Sequence, residues 1–305
     1  MTLSKDLIVL DLEIARSPKE CRFCGNLRAA HHMLSGGLLC PRDDTSVEGS
    51  TYTELGWHDK AALGLSIGGY YSFLSDRIIW FCLATLAETV QRFVRDQPLL
   101  VSFNGKAFDF AVMRAVLLAS ADAAVIAQTG IADHAEPIGP SPMLIPIRTS
   151  VSEGPYIVPT PVLLRNPDGV EEKPGVVNTH GYHGLCDAFK TQCTQSFDLL
   201  ESVWLADPGS KHTGGLNTLR MLCQTNSLPY DSPDAGATVP ALWQDGEFSR
   251  VLNHCADDIY MTRNLCQHIM ATGTITRSNG AIVQVERPPG LLAWWLEWVS
   301  GRHGL

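Results

Sequence analysis

Four aliphatic residues in a row, Leu7-Ile8-Val9-Leu10, run without a break into Asp11-Leu12-Glu13. A short continuous apolar run of this kind reads as a strand buried on both faces. Side chains two apart on a strand share a face, so Asp11 and Glu13 project together from one side of a sheet. Two carboxylates held that close repel each other unless a cation lies between them. Hard oxygen donors on a rigid strand suit Mg²⁺ or Mn²⁺. The plainer alternative is a strand end whose acids only face solvent.

The pattern downstream supplies the rest of an α/β domain. Strand-like runs return at Leu63–Ser72 and Arg77–Phe81, with Ser75-Asp76 as a turn between them. Leu86, Val90, Phe93 and Val94 give Leu86–Asp96 helical spacing, and Pro98 ends it before the buried run Leu99–Phe103. Phe108–Ser120 then reads as a helix. This β-β-β-α-β-α order predicts a mixed β-sheet flanked by helices. With 45% hydrophobic and 18% charged residues over 305 positions, the whole chain, 1–305, is expected to form one soluble domain with two insertions. The first is a Cys- and Gly-rich stretch at 17–58. The second is a proline-rich arm at 130–180, with Asn166-Pro167-Asp168-Gly169 as a turn. Helices are expected again at Ser196–Leu205, Leu216–Thr225 and Glu247–Met270, then a strand at Ala281–Val285. Trp294, Trp295 and Trp298 read as a packed helix face.

Two further blocks carry acids. In Asn104-Gly105-Lys106-Ala107-Phe108-Asp109 a strand ends, Gly105 permits a tight turn, and Asp109 falls in the first turn of a helix. In Asn253–Thr262, His254 and Asp258 are four apart on a helix and stack one turn above the other. An imidazole beside a metal-held carboxylate can orient or deprotonate a water nucleophile. Asp198 opens a helix and reads as its cap.

Together, Asp11/Glu13, Asn104/Asp109 and His254/Asp258 fall in order onto motifs that resemble those of the DEDD exonuclease superfamily. Leu100–Gly105, Phe197–Leu200, Leu242–Gly246 and the Asp258, Ile259, Thr262, Leu265 spacing look like the branch akin to the proofreading domain of family B polymerases. The likeness covers roughly residues 5–15, 56–120 and 195–270. It implies a ribonuclease H-like fold and a 3′→5′ exonuclease working on single-stranded nucleic acid, DNA favoured, by two-metal hydrolysis. Asp11, Glu13, Asp109 and Asp258 would hold two Mg²⁺ or Mn²⁺ ions, His254 would assist the water, and Asn104 would touch the substrate. This branch usually carries Tyr where His254 stands. Other readings of the same scaffold are a 3′→5′ exoribonuclease, or a binding module with little or no catalysis. Partners would be a DNA or RNA 3′ end and a recruiting protein, with no membrane.

Cys21-x2-Cys24-x15-Cys40 has three-quarters of a zinc-ribbon spacing. Asp43 stands where the fourth cysteine belongs. His31 or His32 is preferred as the fourth ligand, because nitrogen and sulfur dominate closed structural zinc sites. A polar stretch without apolar periodicity needs such a staple. Between Arg16 and Arg42 lie five basic residues (Arg16, Lys19, Arg22, Arg28, Arg42) and one acid, Glu20. Emerging beside Glu13, the stretch is expected to guide substrate phosphates through Arg22, Arg28 and Arg42. The overall formal charge of −9 speaks against a protein that coats nucleic acid by bulk attraction. His180-x2-His183-x2-Cys186-x6-Cys193 could be a second metal site, but a turn followed by a helix from about Leu185 is the preferred reading. The remaining cysteines read as core. Nine cysteines without an export signal are expected in a reducing cytoplasm.

Overall fold

The apolar run at the start of the chain becomes β1 (Leu7–Ile14), the central strand of a five-stranded sheet. The computed structural model describes residues 5–19, 32–34, 37–39, 55–129, 179–206, 217–230 and 234–303. After β1 come a two-stranded antiparallel pair, β2 (His32–Leu34) and β3 (Gly37–Leu39), and a short helix α1 (Lys60–Leu63). Next are β4 (Leu65–Ser72), β5 (Arg77–Phe81), α2 (Leu86–Asp96), β6 (Leu99–Ser102) and α3 (Asp109–Thr129). The chain continues through α4 (Thr179–Thr194), β7 (Phe197–Asp198), α5 (Leu199–Ala206), α6 (Leu219–Thr225) and α7 (Val239–Gln244). It ends with the long α8 (Phe248–Thr272), the hairpin strands β8 (Thr274–Thr276) and β9 (Ile282–Gln284), and α9 (Pro289–His303).

The main sheet has the order β5-β4-β1-β6-β7. β4 and β5 run antiparallel to their neighbours, while β6 and β7 are parallel to β1 and to each other in turn. The expected mixed sheet flanked by helices is therefore present. Alternation along β1 divides the core into two layers. Leu7 and Val9 pack with α5 to α9 on one face. Ile8, Leu10, Leu12 and Ile14 pack with α2, α3 and α4 on the other. Asp11 and Glu13 share the parity of Leu7 and Val9, which is the face covered by α8.

Two glycines let the layers close over this strand. Gly69 stands opposite Asp11 in β4; a Cβ there would lie 2.8 Å from Trp80 and 2.9 Å from Ile259 of α8. A Cβ at Gly68 would lie 2.2 Å from the Phe81 ring. Absence of a side chain at Gly69 lets α8 come down onto the sheet beside Asp11, while Gly68 makes room for the Phe81 ring on the opposite face.

The longer elements follow the sequence patterns, with α2 matching at both ends. The structure differs in several places. Phe197–Asp198 is an edge strand rather than the start of a helix, and β8 and α7 were not foreseen. Helix α4 begins at Thr179, not near Leu185, and runs through Gly181 and Gly184. Within it His183 is exposed while Cys186 and Cys193 are buried in the core, so these residues do not converge on a metal. Trp294 and Trp295 are buried against Phe73 and the α8 layer, as expected of a packed face. Cys21, Arg22, Cys24, Arg28, His31, Cys40, Arg42 and Asp43 lie outside the described residues, as does the arm between 130 and 178. For His32 the backbone is described: it stands opposite Leu39, the residue before Cys40 in sequence. Among the described residues no helix is long and apolar enough to cross a membrane.

Candidate active site

The three parallel strands β1, β6 and β7 finish at one edge of the sheet, the edge at which open α/β sheets present their ligand sites. β1 delivers Asp11 and Glu13 there, followed by a register shift between Glu13 and Ile14. From β6 the chain enters a turn in which Asn104 adopts a left-handed φ of 68°. Asp198, at the end of β7, holds that turn. Its Oδ1 accepts from the Asn104 N–H at 3.0 Å and its Oδ2 from the Lys106 N–H at 2.9 Å. The same carboxylate caps α5, with Oδ1 accepting from Leu200 and Glu201 N–H at 3.1 and 3.2 Å. Asp198 is thus a cap, and a clamp on the Asn104 turn as well.

That turn has no room for a side chain at Gly105, where a Cβ would fall 2.3 Å from Ser102 Oγ and 3.3 Å from Asp109 Oδ2. The tight passage sets Asp109 as the first residue of α3, only 3% exposed. Its Oδ2 is buried and has no hydrogen-bond partner among the described residues. A buried carboxylate oxygen left bare costs free energy, and a cation is the partner that would remove that cost.

α8 closes the site from above. His254 Nε2 lies 3.7 Å from Glu13 Oε1 and 3.8 Å from Asp258 Oδ2, and His254 and Glu13 are both buried. Donor atoms of Glu13, His254 and Asp258 lie within 4.8 Å of one another, and so do those of Asp11, Glu13 and Cys255. The Cys255 thiol, on the same turn, donates to the Asp11 carbonyl at 3.8 Å and pins α8 to β1.

Electrostatics sharpen the picture. Burial raises the pKa of Asp11 well above the usual carboxylate range, and the charges of Asp109, Asp258 and Glu13 add to the rise. Glu13 is raised by burial and then by Asp258 and Asp109. Asp109 is raised by burial and then by Asp198 and Asp258, with Lys60 opposing. Asp258 is pushed to about 7 by burial, with Asp257 adding to it. Burial also lowers the His254 imidazole, against a weaker pull from Asp234, which favours its neutral form. Asp11, Glu13 and Asp109 are each raised in part by Asp258, and carboxylates gathered in this way form a site short of positive charge.

These acids face a cavity of about 470 Å³, within the range of small-ligand sites. Trp57, Phe108 and Trp204 are among its lining residues. Among residues named from the sequence, Asp11, Glu13, Asn104, Asp109, His254 and Asp258 all line this cavity. Cys255, Trp57 and Lys60 were not foreseen at the site. Cys255 reads in sequence as a core residue of α8, and no motif marks Trp57 or Lys60. Compared with protein-family models, curated proteins and solved structures, the chain finds no match in any of the three.

Proposed function

We propose that this chain is a metal-dependent 3′→5′ exonuclease with a ribonuclease H-like core, acting on single-stranded nucleic acid with DNA preferred. The observation that carries the reading is the convergence of four carboxylates, from β1, the start of α3 and α8, on one cavity with an imidazole among them, Glu13, Asp109 and His254 being buried and Asp11 and Asp258 partly so. The mixed five-stranded sheet flanked by helices supports it, being compatible with the ribonuclease H-like fold that the resemblance implies.

Asp11, Glu13, Asp109 and Asp258 fit divalent metal, by donor type and by the bare Oδ2 of Asp109. When bound, two Mg²⁺ or Mn²⁺ ions supply Lewis acidity to the phosphoryl group and counter-charge to the departing 3′ oxygen. His254 accepts the proton of the attacking water. Asn104 steadies the substrate at the rim. Water adds across the bond between phosphorus and the 3′ oxygen, and a nucleoside 5′-monophosphate leaves from the strand end. The same proposal includes one zinc ion held by Cys21, Cys24, Cys40 and one of His31, His32 or Asp43, with Arg22, Arg28 and Arg42 guiding phosphates.

A time course on 5′-labelled single-stranded DNA and RNA with Mg²⁺ or Mn²⁺, wild type beside Asp11→Asn, tests the reading. The expected result is a ladder shortening from the 3′ end, faster on DNA and abolished in the variant. Absence of cleavage by folded, metal-loaded wild type leaves the scaffold as a binding module. A faster ladder on RNA makes the chain an exoribonuclease.

A further inference from the structure

Trp57 is 56% exposed and lines the same cavity as the acids. Its ring meets the Phe108 ring edge-on, with centroids 5.5 Å apart at 70°. Phe108 is the residue directly before Asp109, so this aromatic pair abuts one of the four carboxylates. Lys60 sits over both rings: its Nζ is 4.1 Å from the Phe108 centroid and 5.9 Å from that of Trp57. The position of Lys60 is set by its neighbour, because the Asp59 carboxylate caps α1 by accepting from the Ala62 N–H at 3.2 Å. An exposed indole, a phenyl ring packed edge-on against it and an ammonium group therefore meet beside an acid-lined cavity.

Each part has a use that the carboxylates cannot supply. A phosphate strand approaching a cluster of acids in a chain of net charge −9 is repelled, so it needs attraction from elsewhere. An exposed indole face stacks on any nucleobase, whatever its sequence. An ammonium on a flexible stem takes a phosphate as a point charge. We propose that Trp57, Lys60 and Phe108 form the subsite for the 3′-terminal nucleotide, with its base on the open Trp57 ring and its phosphate on Lys60. This rests on the exonuclease reading and deepens it. A base seated there has left its partner, so the subsite selects unpaired ends.

Binding without turnover tests the subsite directly. A 5′-labelled oligothymidylate and the same strand with abasic residues at its 3′ end are titrated in Ca²⁺ and followed by fluorescence anisotropy. Wild type is expected to bind the intact strand about tenfold more tightly, the order of one stacking contact. Trp57→Ala removes that difference and Trp57→Phe restores part of it. Lys60→Met weakens both strands and reduces the slope of log affinity against log salt by about one, whereas Lys60→Arg recovers it. Equal wild-type affinity for the two strands, no binding of either, or variants that bind like wild type would each overturn the subsite. Cleavage of the intact strand in Mn²⁺ separates the two claims. A wild type that cleaves but shows no base preference keeps the exonuclease reading and loses the subsite. One that shows Trp57-dependent preference but never cleaves keeps the subsite and loses the exonuclease.

Discussion

Asp258 ties the site to the stability of the protein. Burial moves its carboxyl from 3.8 to about 7, and Asp257 adds to the rise. Between those values the folded chain holds a proton that the unfolded chain has released. The stability contributed by this group is complete below 3.8 and is lost as pH rises through about 7. Asp11, Glu13 and Asp109 shift the same way. In chelator, the Tm measured by differential scanning fluorimetry is expected to fall as pH rises across this window, and Asp258→Asn to flatten the fall. A wild-type Tm indifferent to pH there would contradict the assignment. His254 gives a second expectation at this scale. As a base rather than a ligand, its replacement in His254→Gln should lower kcat about 10²- to 10⁴-fold. Mn²⁺ affinity by calorimetry should change far less; parallel losses would make it a ligand. The acid pairs were legible in the sequence because spacings of two and four fix a shared face on strand and helix. Cys255 was not, because its contact with Asp11 joins residues 244 apart in the chain. Trp57 and Lys60 sit in a stretch with no apolar period, so nothing local marks the cavity that Trp57 lines.

Among the elements, the turn from Ser102 to Asp109 depends on an edge strand two residues long. Asp198 in β7 gathers four backbone N–H groups from that turn and from α5. Asp198→Ala removes a helix cap and leaves donors without a partner, a loss of about 2–4 kcal/mol, readable by urea unfolding. Asp198→Asn keeps an acceptor oxygen and should lose less. A cost below about 1 kcal/mol would show that water replaces the carboxylate readily. Elements with several turns or a full buried run, such as α2, α8 and β1, announced themselves through periodicity. β7, β8 and α7 did not, since two to six residues carry too little pattern to separate from a turn. Gly181 and Gly184 read as breakers, yet α4 passes through them. The row Cys186, Phe189, Cys193 buries one face of that helix against the core, and this packing outweighs the propensity cost of two glycines.

For the molecule as a whole, two helical layers around one sheet provide the burial that forces four acids into a shared cavity. That confinement works against folding while no cation is present, since each charge opposes the others in a medium poorer than water at screening them. Neutralising part of the cluster should therefore stabilise the protein even as it removes the proposed activity. The double variant Asp11→Asn, Asp109→Asn is expected to melt several degrees above wild type in chelator at pH 8, with about 2–4 °C for each kcal/mol regained. Added Mn²⁺ should raise the wild-type Tm, because a ligand at a hundred times its Kd contributes about 2.7 kcal/mol to the folded state. The double variant should not respond. If it instead melts lower than wild type in chelator, the carboxylates are serving the fold through contacts of their own. If both proteins respond equally to Mn²⁺, the ion binds elsewhere, and the cavity at the carboxyl edge of the sheet is not the metal centre.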